Sequence, residues 1–82
     1  MKKEFLFTVK FIDIYDNVSY EKIQDTLERV MLSISYYNNI NDLEVYIRDY
    51  DGNLVARNIY GNGWQIKSAG KWLNKSVKWI HK

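Results

Sequence analysis

Eighty-two residues, 46% of them hydrophobic and 27% charged, describe one small globular domain spanning 1–82 and exclude a disordered chain. The absence of cysteine excludes a disulfide framework and a thiolate metal site, and no apolar run approaches the roughly 20 residues of a membrane-spanning helix. A net charge of +2 is small, so its distribution along the chain matters more than its size.

Taken in chain order, Met1-Lys2-Lys3 leads into Phe5-Leu6-Phe7, but Glu4 and Lys10 interrupt the apolar stretch and no small-residue cleavage site follows. The expected compartment is therefore the cytoplasm. From Glu4 to Ile14, Phe5, Phe7, Val9 and Phe11 alternate with Leu6, Thr8, Lys10 and Ile12. That period of two predicts a strand, central in its sheet because both faces are largely apolar. Asp16-Asn17-Val18-Ser19 reads as a stop followed by a helix start, with Ser19 or Asp16 as N-cap. Ile23, Leu27, Val30, Met31 and Ile34 would then form one helical face, with Glu21, Asp25 and Glu28 elsewhere on the surface.

Leu43–Tyr50 and Leu54–Tyr60 flank Asp51-Gly52-Asn53, and an Asp-Gly between two alternating runs predicts a hairpin. Beyond Gly61-Asn62-Gly63 the pattern is ambiguous. Ile66, Ala69, Leu73, Val77 and Ile80 recur at helical spacing, although Gly70 would cost about 1 kcal/mol inside a helix. A third hairpin strand at Trp64–Lys67 competes with this reading, as does a strand at Ser76–Ile80. The favoured expectation is an α+β fold of β-α-β-β-α order, with a small, mostly antiparallel sheet of three or four strands packed by two helices.

Charge is divided unevenly. Residues 1–64 hold seven bases and ten acids, whereas residues 65–82 hold five lysines and no acid. On a helix, Lys67, Lys71, Lys75, Lys78 and Lys82 would line one stripe, with Trp72 and Trp79 at its border. Lysines beside exposed tryptophans suit a polyanion, the ammonium groups on phosphates and the indoles on unpaired bases. Two further readings stand beside it: a solvated helix face, the commoner role for such lysines, and attachment to an anionic membrane surface. Gly61-Asn62-Gly63 ahead of basic residues loosely resembles the end of a double-stranded RNA-binding domain. This chain lacks that family's compact lysine cluster and opens on a strand instead of a helix, so no membership is implied.

Motifs for catalysis are absent. Asp49-Tyr50-Asp51-Gly52-Asn53 has Leu54 and Tyr60 where a calcium loop requires glycine and glutamate. Gly61-Asn62-Gly63 lacks the third glycine of a dinucleotide fingerprint, and the lone His81 adjoins the terminus. Neither enzyme activity, cofactor nor metal is expected. Tyr46, Tyr50 and Tyr60 project from the hairpin as a candidate protein interface.

The expected function is a small nonenzymatic binding protein whose basic C-terminal segment contacts nucleic acid or a nucleoprotein through Lys67, Lys71, Lys75 and Lys78, with Trp72 or Trp79 stacking. The alternative is a protein-binding inhibitor or adaptor from a phage or mobile element, anti-CRISPR-like or otherwise anti-defence. Abundant lysine, asparagine, isoleucine and tyrosine fit an AT-rich genome of that kind. A homodimer joined at a strand edge is compatible with either reading.

Overall fold

The computed structural model describes residues 5–77. In chain order these form β1 Phe5–Asp13, β2 Val18–Asp25, α1 Leu27–Tyr37, a 3-10 turn at Ile40–Asp42, β3 Leu43–Arg48, β4 Leu54–Ile59, β5 Trp64–Ser68 and β6 Lys71–Lys75. The six strands make one antiparallel sheet of order β2-β1-β3-β4-β5-β6. The α+β class and the hairpin around Gly52 are as expected. The order is β-β-α-β-β-β-β, with one helix among the described residues instead of two.

Turn chemistry explains the first difference. Asp13 accepts from the backbone N–H groups of Tyr15 and Asn17 and from the Asn17 side chain, while Asp13 N–H donates to the Asn17 carbonyl. Asp16 adopts φ 64°. The β3–β4 turn repeats this arrangement: Asp49 accepts from Asp51 and Asn53, and Gly52 takes the left-handed position at φ 86°. Both segments carry Asp at the first position and Asn four residues later, a side-chain-stabilised turn that sends the chain back on itself. Asp16 and Ser19 are therefore a turn residue and a strand residue, not helix caps.

The strand so formed pairs Ile23 with Phe7 across β1–β2. Ile23 thus reaches the core from β2, and the helix begins only after Thr26, whose hydroxyl accepts from Arg29 N–H at 3.3 Å. Asp25 buttresses this cap by accepting from Thr26 N–H and pairing with Arg29 at 3.3 Å.

The predicted C-terminal helix is replaced by the β5–β6 hairpin. Ala69 and Gly70 take φ 51° and 79°, the pair of positive values a two-residue turn between twisted strands requires. Gly70, a liability in a helix, is the residue this turn needs. Ile66 and Leu73 do share a face, but as paired positions across the hairpin. Of the strand read at Ser76–Ile80, residues 78–80 lie outside the described residues; Ser76 and Val77 belong to no strand.

One face of the sheet is covered. Phe7, Val9 and Phe11 of β1, Val45 and Ile47 of β3, Ala56 of β4 and Trp64 of β5 pack against Val30, Met31 and Ile34 of α1. Burying each such large side chain contributes about 1.5–3 kcal/mol. A register shift between Ile47 and Arg48 brings Val55 to this core as well, beside Ala56. The Trp64 indole N–H donates to Ser35 Oγ at 2.7 Å, and that hydroxyl donates to the Met31 carbonyl at 2.9 Å, tying the helix to the outer half of the sheet. β1 is an inner strand as expected, but only its helix side is sealed.

Candidate functional site on the open sheet face

Side chains alternate across a sheet, so residues between the core positions point to the side opposite α1. Strand register places Tyr20, Lys10, Tyr46, Arg57, Gln65 and Asn74 in one straight row across all six strands. Lys22, Thr8 and Arg48 form a second row on the left half, and Lys67 with Trp72 sits beyond Gln65 and Asn74 on the right. A third row, Val18, Ile12, Glu44 and Ile59, closes the other end. None of these side chains is buried, and no described element covers them.

This face therefore carries five bases, Lys10, Lys22, Arg48, Arg57 and Lys67, against one acid, Glu44. The other described residues hold three bases and eight acids. Among the described residues the two ion pairs are Asp25–Arg29 and Glu28–Lys75, both away from this face, so its five cations have no carboxylate partner.

Hydrogen bonds and cation–π contacts hold the surface in place. The Arg57 Nε–H donates to Gln65 Oε1 at 2.8 Å, and the Gln65 amide donates to Asn74 Oδ1 at 3.3 Å. The Arg57 guanidinium lies 4.0 Å from the Trp72 ring centroid, with Lys67 Nζ at 5.6 Å, a cation–π arrangement. Glu44 accepts from the Tyr46 hydroxyl at 2.8 Å and from the Tyr60 hydroxyl at 3.3 Å. The hydrogen bond to Glu44, then burial, pushes the Tyr46 phenol above its ordinary value. Tyr60 is raised as well, by desolvation and then by Glu44.

The lysine stripe expected on a helix is divided by the hairpin. Lys67 and Trp72 are cross-strand partners on the open face, whereas Lys71 pairs with Ser68 and Lys75 with Trp64 on the helix side. Lys75 is 3.8 Å from Glu28. Lys78 and Trp79 lie outside the described residues. A spacing of four keeps Lys71 and Lys75 together in helix and strand alike; the reversal at Ala69-Gly70 separates them from Lys67. The tyrosine patch is divided too. Tyr46 and Tyr60 meet at Glu44, while Tyr50, 80% exposed, sits in the β3–β4 turn at the other end of the hairpin.

Tyr20, Lys10, Lys22, Arg48 and Arg57 were not singled out by sequence reasoning. Alternation alone sets Lys10 against Val9 and Phe11, and Arg57 against Ala56 and Asn58. What the sequence withheld was β2, without which Tyr20 and Lys22 look helical, and the register that aligns the rows. No helix among the described residues is long and apolar enough to cross a membrane. No family model, curated protein or solved structure matches this chain.

Proposed function

We propose that this protein binds single-stranded nucleic acid, without catalysis, on the open face of its sheet. The observation that carries the reading is five cations without a carboxylate partner among the described residues, interleaved with Tyr20 and Tyr46 on a face that no described element covers. Ammonium and guanidinium groups neutralise phosphates, and the exposed Tyr20 ring, with the half-buried Tyr46 ring beside it, accepts stacked bases whatever their identity. Lys67 keeps the role expected of it, joined now by Lys10, Lys22, Arg48 and Arg57, while Trp72, its ring covered by Arg57, positions that guanidinium instead of stacking a base. Lys71 and Lys75, on the far side of the sheet, do not.

Width argues for a single strand over a duplex. Six strands at about 4.8 Å spacing give a platform about 24 Å across. A major groove about 12 Å wide admits two strands at most. A flexible single strand can lie along the platform with its bases turned onto the rings.

Electrophoretic shift with single- and double-stranded probes across a salt series tests this. Five neutralised phosphates predict a log–log slope of about −3.5 for single strands, with duplex bound more weakly at every salt. A flat salt response, or preference for duplex, would contradict the proposal.

A further inference from the structure

The three rows of the open face differ in chemistry, and that difference orients a bound strand. Lys22, Arg48 and Lys67 lie towards the end of the sheet where β3 turns into β4. Tyr20, Lys10, Tyr46 and Arg57 occupy the middle row. Glu44, the one acid, stands in the opposite outer row, where phosphates are repelled. A strand crossing the sheet thus places its backbone over the Lys22, Arg48 and Lys67 side and directs its bases towards the tyrosines and Glu44.

Glu44 is fixed more firmly than a surface carboxylate needs to be. Tyr46 and Tyr60 donate to its two different oxygens, so the group is held from both sides. The Tyr46 ring must lean along β3 towards Glu44 for its hydroxyl to reach Oε1 at 2.8 Å. A base stacked on that ring presents its edge to the carboxylate. Each carboxylate oxygen has two acceptor positions, of which a tyrosine hydroxyl takes one, so each of the two adjacent oxygens keeps one to offer. Two adjacent acceptors complement a base edge with two adjacent donors, and guanine, with its N1–H and exocyclic amino group, is the base that has one. Uracil and thymine offer a single ring N–H flanked by carbonyl oxygens that the carboxylate repels.

The geometry points to Glu44 as the specificity-determining residue of the open face, reading guanine in a single strand stacked on Tyr46. The inference rests on the proposed nucleic-acid reading of that face, and the experiment separates the two. Fluorescence anisotropy compares a uridine oligomer of about ten nucleotides with the same oligomer carrying one central guanosine or one inosine, which lacks the exocyclic amino group. The wild-type protein binds the guanosine oligomer at least about five-fold more tightly than the uridine oligomer, with inosine between them. Glu44→Gln keeps one acceptor but replaces the other with a donor, so it brings the three oligomers to within about two-fold of one another.

Equal wild-type affinities for all three oligomers would overturn the assignment of Glu44 and leave the binding face standing. A Glu44→Gln protein that weakens or strengthens all three equally would also overturn it, since loss of fold or of phosphate repulsion acts on every oligomer alike. Absence of binding to any oligomer would remove both the assignment and the reading beneath it.

Discussion

A tryptophan indole can enter a core only if its N–H keeps an acceptor, because an unsatisfied buried donor costs about 1–3 kcal/mol. Trp64, 6% exposed, finds that acceptor in Ser35, whose hydroxyl in turn donates to the Met31 carbonyl. Ser35→Ala should therefore lower stability by about 1–3 kcal/mol in urea denaturation, well beyond the effect of removing a surface hydroxyl. A loss no larger than that of Ser33→Ala would show that the indole is satisfied in another way. Asp13 gives a second test at this scale. The Asn17 backbone N–H, with its side chain and the Tyr15 N–H, holds the Asp13 carboxyl below its ordinary 3.8. A carboxylate lowered on folding contributes stability that is present above the unfolded value and is lost as pH falls through the lower, folded one. The carboxyl carbon shift of Asp13 should accordingly titrate below 3.8, and the β1–β2 turn should loosen only in that acidic range. Titration at or above the ordinary value would mean that the turn does not depend on these bonds.

Among the elements, the β5–β6 hairpin carries the clearest local conflict. Ala69 holds φ 51°, a conformation costly for most side chains but readily adopted by asparagine. Ala69→Asn creates the Asn-Gly pair that this turn type prefers and should raise stability by about 0.5 kcal/mol; a loss instead would argue against the turn. The same residues show why this hairpin was only partly legible. Asp-Gly announces the β3–β4 turn, whereas Ala-Gly announces nothing, and Ile66, Ala69, Leu73 and Val77 happen to recur at helical intervals. Paired strands joined by a two-residue turn also bring positions seven apart together, as Ile66 and Leu73 demonstrate. Periodicity alone cannot separate the two arrangements. The β2 strand failed to register for a related reason: Ile23 precedes Leu27 by four residues, so one core-facing strand residue extended the helical pattern by a turn. β1 and the β3–β4 hairpin, with alternating side chains and recognisable turn residues, were readable as elements, but the register shift between Ile47 and Arg48, which turns Val55 to the core beside Ala56, was not.

Across the whole molecule, charge is sorted by side of the sheet. The open face carries five bases and one acid, and everything else described carries three bases and eight acids. Among the described residues this distribution favours a polyanion on the open face over the helix side, as the proposed reading requires. The sequence disclosed the basic segment after residue 64 but not this sorting, because a side of a sheet gathers residues from six strands far apart in the chain. Only register brings Lys10, Arg48, Arg57 and Lys67 together, and only the hairpin removes Lys71 and Lys75 from their company. Paired charge reversals on the two sides give the most direct test. Arg57→Glu with Lys67→Glu should lower affinity for a single-stranded oligonucleotide by about 100-fold or more at low salt, while Lys71→Glu with Lys75→Glu, which makes the same formal change, should alter it by less than about three-fold. Equal losses from the two pairs, or a larger loss from Lys71 and Lys75, would contradict the assignment of binding to the open face.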